Sequence, residues 1–219
     1  MADRFHDRQD AGRQLAERLT GYAGRTGLLV LALPRGGVVL GYQIARRLQC
    51  PLDVLIVRKL GCPGNPELAA GALSETGTRL LNEDVIASLR IDAAYLTAEI
   101  ARQQEQINRR LALYREGARL VELADRTVLL VDDGVATGAT MKAAIATLKH
   151  EGLNALIAAV PVAPPDTARE IAATVDTWVC LQTPAWFGAV GQFYDNFDQV
   201  SDAEVVTLLR QAQGNTPPE

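Results

Sequence analysis

Two residue types that often carry enzyme chemistry are scarce in this chain. Histidine occurs twice, at His6 and His150, far apart and outside any shared motif, so a histidine metal centre or a Ser-His-Asp triad is not expected. Serine occurs three times, and no serine lies in a G-x-S-x-G sequence, which argues against covalent serine catalysis. Any chemistry therefore depends on other residue types.

Cysteine and long apolar runs are also scarce. The three cysteines, Cys50, Cys62 and Cys180, are widely spaced and form no C-x-x-C pair, which is typical of a reducing compartment without disulfides or a zinc ribbon. No apolar run approaches the ~18 residues of a membrane span, and the charged N-terminus lacks the apolar core of a signal peptide. We expect a soluble, cytoplasmic protein with no membrane partner, whose cysteines serve in packing.

Charge is distributed unevenly along the 219 residues, a length that fits one domain over residues 1–219. Residues 1–126 carry 18 basic and 15 acidic side chains, whereas residues 127–219 carry 4 and 11. The net charge of −4 and the lack of a basic run argue against nucleic acid as a partner, because phosphate backbones need clustered Lys and Arg.

Short apolar runs alternate with longer segments of helical spacing, and this alternation predicts an α/β fold with a three-layer, mainly parallel sheet. The predicted strands are residues 28–33, 52–57, 127–131, 156–162 and 177–181. The predicted helices between them are residues 38–48, 140–150 and 166–173, each bounded by Gly or Pro.

Four segments fall outside this alternation. Residues 5–22 predict a leading helix, and the final GNTPPE predicts a frayed tail. In residues 71–81 two extended pieces flank a turn at Glu75, which predicts a hairpin or a mobile flap, and the flap is expected over about 61–91. Residues 92–116 predict one long helix, which is either an ordinary amphipathic covering helix or a brace for the flap or a partner subunit. The apolar stripe of that helix is Leu96, Ile100, Ile107 and Leu111.

The segment TVLLVDDGVATGATMKAAIATL, which begins at Thr127, carries the strongest functional signal. A buried strand ends in Asp132 and Asp133, and ligands of open α/β sheets bind beyond the carboxyl ends of strands. The glycines and hydroxyls of the next loop, followed by a helix N-terminus, suit a phosphate monoester. The acids suit sugar hydroxyls or Mg²⁺, so one ligand with sugar and phosphate is predicted. The loop residues are Gly134, Val135, Ala136, Thr137, Gly138, Ala139 and Thr140.

Three other phosphate-binding classes do not fit the sequence. A P-loop needs a Gly-Lys pair, and the chain has none. A receiver domain needs its acids near the start and a lysine well downstream of them, but the last lysine is Lys149. A dinucleotide fold needs G-x-G-x-x-G after its first strand, which the Pro34-Arg35-Gly36-Gly37 sequence does not supply.

The sequence VLLVDDGVATGAT resembles the motif with which type I phosphoribosyltransferases bind 5-phosphoribosyl 1-pyrophosphate (PRPP). The resemblance implies that Asp132 and Asp133 hold the ribose 2′- and 3′-hydroxyls and a Mg²⁺ ion, while residues 135–140 cradle the 5′-phosphate. It spans roughly residues 28–197 and implies the fold of that family. The sequences PRGG, PLDVLIVRKLG and PGNPELAAGA are also similar to a bacterial group of predicted phosphoribosyltransferases.

A second region, LALPRGGVVLGYQIARRL from Leu31, resembles the first strand, pyrophosphate loop and helix of the family. The resemblance implies that Arg35, Gly36 and Gly37 bind pyrophosphate and that the Arg35–Gly36 peptide is cis. Arg58 and Lys59, at the end of the strand 52–57, would match a basic residue near the pyrophosphate. Because side chains alternate across a strand, we expect one of the two to face the site and favour Lys59.

A third region, TPAWFGAVGQFYDNF from Thr183, resembles the C-terminal hood of 6-oxopurine phosphoribosyltransferases, expected here over about 182–200. The resemblance implies that Trp186 or Phe187 stacks on the base. Phe187 is the better positional match, and core packing is the competing interpretation.

The 6-oxopurine enzymes carry an acid in the phosphate loop that moves the proton of the base. That position is Ala136 here, as in adenine-type enzymes, so the resemblance leaves the base open. Glu67 and Glu75 of the expected flap are the candidates for a substitute group, because a base needs only hydrogen-bond reach once a flap closes.

Together the three regions imply a Mg²⁺-dependent transferase of nucleotide salvage. It would move the 5-phosphoribosyl group of PRPP to a nitrogen of a nucleobase-like acceptor and release pyrophosphate, with Arg35, Lys59, Asp132 and Asp133 as its catalytic residues. The resemblance also implies a homodimer or higher homo-oligomer. The alternative is a non-catalytic PRPP-binding regulator, against which the acidic net charge weighs because such regulators bind DNA or RNA.

Overall fold

A computed structural model describes residues 4–116, 118 and 120–214 of the protein, apart from the side chains of Pro66 and Glu67. The strands are β1 (Leu28–Ala32), β2 (Leu52–Val54), β3 (Val57–Cys62), β4 (Asn65–Ser74), β5 (Arg79–Leu81), β6 (Thr127–Val131), β7 (Ala155–Val162) and β8 (Thr177–Gln182). The α-helices are α1 (Arg8–Arg18), α2 (Gly36–Leu48), α3 (Glu83–Ser88), α4 (Ala93–Arg115), α5 (Ala139–Leu148), α6 (Pro165–Ala172) and α7 (Asp202–Gly214).

Five strands form a parallel sheet in the order β2-β1-β6-β7-β8. Its side chains are apolar on both faces: Val30 and Ala32 pack with α1 and α2, whereas Leu29 and Leu31 pack with α5 and α6. A parallel sheet needs helices on both faces, which explains the continuous apolar runs in the sequence. The predicted three-layer, mainly parallel architecture is confirmed.

The strand order reverses between β1 and β6. From β1 the chain continues to β2 on one side, and the next strand of this sheet, β6, pairs with β1 on the other, with Ala32 opposite Val131. The loops that follow these two strands lead to helices on opposite faces of the sheet, α2 and α5. Ligands of open α/β sheets bind at such a switch point.

Most predicted elements of the main sheet are confirmed to within two residues at each end, but the predicted strand 52–57 is wrong. Strand β2 ends at Val54, and Val57 already belongs to β3 in a second sheet. The Glu75 side chain accepts a hydrogen bond of 2.8 Å from the Ile56 N–H, and the Glu75 N–H donates to the Ile56 carbonyl at 2.9 Å. These bonds draw the chain out of the parallel sheet.

The second sheet is antiparallel, in the order β3-β4-β5. The predicted hairpin over residues 71–81 is confirmed, since Gly71 pairs with Leu81 and Leu73 pairs with Arg79. The sheet begins at Val57, four residues before the expected start of the flap. The chain from Val57 to Leu81 therefore leaves the regular βα alternation.

Helix α4 confirms the predicted long helix, with Asp92 as its N-cap: the Asp92 carboxylate accepts from the Tyr95 N–H at 2.6 Å. The predicted apolar stripe is right at Ile107, whereas Leu96, Ile100 and Leu111 are only half-buried. Two polar residues, Glu99 and Gln103, are buried on this helix instead.

Hydrogen bonds explain why these polar residues are buried. Glu99 accepts from Arg102 and Gln103 at 2.8 and 2.9 Å, and its hydrogen bond with Arg102 is the main cause that holds its pKa below the usual value. Gln103 in turn accepts from Arg58 of β3. Paired polar groups thus attach α4 to the antiparallel sheet.

Arg115, the last residue of α4, joins the two sheets. Its guanidinium donates to Asp53 of β2 at 2.7 Å, to Glu75 in the β4–β5 turn, and to the carbonyl of Val54. The side chains of Arg115 and Glu75 are only 6% and 3% exposed. Burial raises the pKa of Glu75 even though Arg115 opposes this effect. The Glu75 oxygens are occupied by Arg115 and Ile56, so we assign this residue to the ion pair and not to proton transfer.

The leading segment is helical over a shorter range than predicted. Helix α1 begins after Asp7, whose carboxylate accepts from the Asp10 N–H at 2.8 Å, and Phe5 instead forms a parallel bridge with Tyr194. Phe5 is buried beside the Tyr194 ring, with 5.5 Å between ring centroids. Residues 215–219, which make up most of the predicted tail, lie outside the described part of the chain.

Cys50, Cys62 and Cys180 are all free thiols, as expected from their spacing. Burial raises the pKa of Cys50 to about 12 and that of Cys180 to about 11, which keeps both thiols protonated and poorly nucleophilic.

Within residues 4–116, 118 and 120–214, no helix is both long and apolar enough to cross a bilayer.

Candidate functional site

The loops after β1 and β6 touch each other at the switch point. A Cβ atom on Gly36 would lie 1.8 Å from Oδ2 of Asp133, and one on Gly37 would lie 2.7 Å from the carbonyl oxygen of Val131. Only glycine allows the two loops to approach this closely. The structure therefore brings together the two regions that the sequence assigned to pyrophosphate and to ribose.

The loop after β1 contains a cis peptide bond between Pro34 and Arg35. The expectation of a cis bond between Arg35 and Gly36 is wrong by one residue, because Gly36 already belongs to the first turn of α2. Arg35 is the half-buried N-cap of that helix, and its side chain forms no salt bridge with the described residues. First-turn N–H groups have no partner within their own helix and are suited to anions.

The two acids at the end of β6 lie side by side and are partly buried. Asp132 Oδ1 accepts from the Asp133 N–H at 2.9 Å, and Asp133 Oδ2 accepts from Arg8 Nε at 2.7 Å. Burial raises the pKa of Asp132, and the charge of Asp133 adds to this rise. Burial also raises the pKa of Asp133, although Arg8 opposes it. Ionisation of both acids is therefore unfavourable even with Arg8 beside Asp133, and hydroxyl donors or a further cation would stabilise it.

The loop over residues 134–140, called the phosphate loop after the role that the resemblance implies, is anchored by its backbone and exposes its hydroxyls. The Val135 N–H donates to the Val162 carbonyl at 2.9 Å, and Thr167 donates to the Ala136 carbonyl at 3.0 Å. The side chains of Thr137 and Thr140 are exposed. Such a loop offers an anion several donors without rearrangement.

Two glycines of this loop adopt backbone angles that favour glycine. Gly138 has φ +78° and is the N-cap of α5, which begins at Ala139. The cap residue has no side chain to bond the first turn, and the Ala139 N–H donates instead to the Thr137 hydroxyl at 3.5 Å. Gly134 has φ +153°, and a Cβ there would lie 2.4 Å from the Val190 side chain. The loop is thus open toward a ligand and closely packed against the segment that follows β8.

Arg58 and Lys59 do not end a buried strand as predicted; they are the second and third residues of β3. Arg58 lies opposite Leu73, on the face that packs with α4, and its Nε donates to Gln103 Oε1 at 3.0 Å. Lys59 lies opposite Ala72, on the face that packs with Met141 of α5. The two side chains therefore point to opposite faces, and Lys59 is on the side of the phosphate loop.

Sequence reasoning missed Arg110 of α4, which together with Arg35 and Arg58 is called the basic cluster here. Burial lowers the pKa of Arg58, and the nearby charges of Arg110 and Arg102 lower it further. Arg110 and Arg35 both lie close enough to Tyr114 to oppose the rise that burial causes in its pKa. No salt bridge within the described part of the chain neutralises Arg35, Arg58 or Arg110. The cluster is suited to a polyanion such as pyrophosphate.

A signal for Arg110 was present in the sequence. Arg110 follows Ile107 by three residues and precedes Tyr114 by four, which places all three on one face of the helix. That face differs from the predicted apolar stripe of Leu96, Ile100, Ile107 and Leu111, with which it shares Ile107.

The hood follows β8 and contacts the acid pair directly, since the Tyr194 hydroxyl donates to the carbonyl of Asp133 at 2.5 Å. Trp186 is 92% exposed. Phe187 is half-buried and packs on Phe193, with 5.0 Å between ring centroids. Of the two aromatic candidates, Trp186 presents an exposed ring and Phe187 contributes to packing.

Two further expectations concern acid groups. The side chain of Glu67, a candidate for proton transfer, lies outside the described residues. In the part of the chain that the structure describes, no three His, Cys, Asp or Glu residues gather into a possible metal site. A Mg²⁺ ion held by Asp132 and Asp133 would therefore take its other oxygen ligands from the substrate and water.

Comparison with known proteins agrees with this geometry. A family model described as a phosphoribosyl transferase domain matches residues 1–198. Two proteins from Mycobacterium tuberculosis strains, named provisionally as phosphoribosyl transferases, are 49% identical over 208 residues, which are 95% of this chain and 47% of theirs. The chain thus spans about half the length of the curated relatives it matches.

A solved structure extends the likeness over the whole fold. The crystal structure of TT1426 from Thermus thermophilus superposes with a TM-score of 0.83 at 43% sequence identity, and the match covers 95% of this chain and 98% of that chain. With a family model that matches most of its length, the chain belongs to the phosphoribosyl transferase domain family.

Proposed function

We propose that the chain transfers the 5-phosphoribosyl group of PRPP to a nitrogen of a nucleobase-like acceptor and releases pyrophosphate in a Mg²⁺-dependent reaction. The observation that carries this proposal is the contact of Gly36 and Gly37 with the acid pair at the switch point. A ligand that spans both loops needs an anionic group at one end and sugar hydroxyls beside it. PRPP carries its pyrophosphate on the ribose carbon next to the 2′-hydroxyl, so it has an anionic group beside sugar hydroxyls.

Each part of PRPP has a matching set of residues. The exposed hydroxyls of Thr137 and Thr140 and the first turn of α5 would bind the 5′-phosphate. Asp132 and Asp133 would accept hydrogen bonds from the ribose hydroxyls. Arg35 would bind the pyrophosphate, together with Lys59 from the face of β3 that packs with α5.

The acid pair fits a Mg²⁺ ion shared with the substrate. Two adjacent carboxylates with raised pKa values supply hard oxygen ligands whose charge a cation would stabilise. When bound, the ion would neutralise negative charge on the departing pyrophosphate. Asp132 and Asp133 are the residues that would hold it.

Catalysis in this proposal comes from position and charge. The bond between ribose C1 and the pyrophosphate oxygen breaks, and a bond from C1 to the acceptor nitrogen forms. Arg35 and Lys59 would stabilise the charge that develops on the leaving group, and the acid pair would hold the ribose in place. The position of Ala136 carries no acid, as in adenine-type enzymes, so the base stays open between adenine-like and 6-oxopurine acceptors.

The hood gives a first prediction. We expect Trp186→Ala to raise the KM for the acceptor about tenfold, because a base that stacks on an aromatic ring gains roughly 1–3 kcal/mol. The melting temperature of Trp186→Ala should equal that of the wild type, since the Trp186 ring is exposed. Phe187→Ala should instead lower the melting temperature, because it removes the contact with Phe193. Equal acceptor KM values for Trp186→Ala and the wild type would exclude Trp186 as the stacking residue.

The decisive experiment incubates the protein with PRPP, Mg²⁺ and a panel of purine and pyrimidine bases and measures pyrophosphate release. We expect release with at least one base and its loss when EDTA is added. PRPP binding without release for any base would overturn the enzyme and favour a PRPP-binding regulator. Sedimentation of the same sample tests the expected homodimer or higher homo-oligomer.

A further inference from the structure

We propose that Arg8 is a positioning residue of the ribose site, which holds the Asp133 carboxylate and links it to the hood. The inference deepens the proposed function and rests on it. It assigns the leading helix a part in substrate binding.

Three contacts fix the Arg8 guanidinium. Its Nε donates to Asp133 Oδ2 at 2.7 Å, and its Nη1 donates to the Asp198 carbonyl, also at 2.7 Å. Its central carbon lies 3.7 Å from the centroid of the Phe197 ring, within the range of a cation–π contact. The planar group is therefore held at its edge by Asp133 and the Asp198 carbonyl and on one face by the Phe197 ring.

The place of Arg8 on its helix is electrostatically unfavourable. It is the first residue of α1, where the positive end of the helix dipole repels a cation. Its side chain is nevertheless only 11% exposed, and an arginine at a helix start normally extends into solvent. The contacts with Asp133, Asp198 and Phe197 must offset both costs, which indicates that the guanidinium is required where it lies.

Arg4 also attaches the leading segment to the hood, but only through a contact at the surface. It pairs with Asp195 of the hood at 3.3 Å, and both side chains are more than half exposed. The backbone of Phe5 adds hydrogen bonds to the hood at Phe193 and Asp195. The leading segment is thus already attached to the hood without Arg8, whose distinguishing contact is the one with Asp133.

Arg8 and the hood together restrain Asp133 from both sides. Arg8 holds its carboxylate, and the Tyr194 hydroxyl donates to its carbonyl oxygen. The rings of Tyr194 and Phe197 also contact each other, with 4.9 Å between centroids. A carboxylate fixed in advance binds ribose hydroxyls with a smaller loss of entropy.

The test compares Arg8→Gln, Arg8→Lys and the matched control Arg4→Gln in the full chain. Calorimetry with Mg²⁺ measures the affinity for PRPP, ribose 5-phosphate and pyrophosphate separately. We expect Arg8→Gln to weaken PRPP and ribose 5-phosphate about tenfold or more, because a charge-assisted hydrogen bond that orients the carboxylate is lost. Pyrophosphate affinity should stay within about twofold. Arg8→Lys should recover part of the loss, and Arg4→Gln should bind all three ligands like the wild type.

Two results would overturn the inference while the wild type still binds PRPP. One is an Arg8→Gln variant that binds ribose 5-phosphate as tightly as the wild type. The other is an equal loss in Arg8→Gln and Arg4→Gln that follows their melting temperatures, which would make Arg8 a structural attachment. If Arg8→Gln does not fold, Arg8→Lys decides by the same comparison. A wild type that binds no PRPP would instead overturn the proposed function itself.

Discussion

Replacing Asp132 with asparagine is expected to weaken PRPP binding about 100-fold or more without lowering the melting temperature. The side chain would lose its charge-assisted bonds to the ribose hydroxyls and its share of the Mg²⁺ ion. The asparagine amide would keep an oxygen that can accept from the Asp133 N–H, so the local backbone keeps its partner. Calorimetry with PRPP and Mg²⁺ measures the first effect, and thermal unfolding measures the second.

The raised pKa of Asp132 explains why stability should survive the change. Burial and the charge of Asp133 favour the protonated carboxyl in the free protein. The fold is therefore most stable where Asp132 is protonated, and it loses stability as the pH rises through the raised pKa. The asparagine amide does not ionise and avoids this loss of stability. The stability of Asp132→Asn relative to that of the wild type should therefore increase as the pH rises.

Asp166→Asn is the control for this experiment. Asp166 is an exposed acid in the first turn of α6 and pairs with Arg169 on the surface. We expect wild-type PRPP affinity in this variant. Unchanged PRPP affinity in Asp132→Asn would remove the ribose role assigned to Asp132, and a clear drop in its melting temperature would contradict the electrostatic argument.

Replacing Arg115 with alanine is expected to destabilise the protein by about 3–5 kcal/mol, the usual cost of leaving a buried ion pair without one partner. Asp53 and Glu75 would remain in the interior with no cation from Arg115, and the Val54 carbonyl would lose its donor. Denaturant unfolding measures the loss. A change below ~1 kcal/mol would contradict the role of Arg115 as the joint between the sheets.

The same variant should respond to pH in a defined direction. Without Arg115 the pKa of Glu75 rises further above its usual value, because burial is then opposed by fewer favourable contacts. The difference in the free energy of unfolding between Arg115→Ala and the wild type should therefore become smaller as the pH falls from 7 toward 5. Arg109→Ala, which breaks the exposed pair with Glu105, is the control and should change stability by less than ~0.5 kcal/mol at any of these pH values.

The sequence predicted those parts of the fold that depend on local patterns. The apolar runs of β1, β6 and β7 are long enough and bounded clearly enough to identify buried strands. The predicted strand 52–57 was wrong because the cause of its break, the bonds between Ile56 and Glu75, joins residues that no periodicity relates. On α4 the residues Glu99 and Gln103 have the polarity of exposed positions, and only their partners explain their burial.

The candidate site likewise has one part that the sequence predicts and one part that it does not. Asp132, Asp133 and the phosphate loop are contiguous in the chain, so their chemistry is visible in one motif. Arg8 lies 125 positions from the aspartate that it contacts, and nothing in its surroundings in the sequence indicates that partner. The structure was needed to find it.

The position of the Arg115 ion pair also has an evolutionary consequence. The chain leaves the parallel sheet after Ile56 and completes both the antiparallel sheet and α4 before Arg115 returns it to Asp53 and Val54, next to the point of departure. An excursion whose entrance and exit meet can be lengthened, shortened or exchanged with little disturbance to its host. Changes of length in the β3–β5 part of this excursion should therefore leave the pairing of β1 with β6 undisturbed, whereas α4 must stay because Ile107 and Tyr114 lie in the main core.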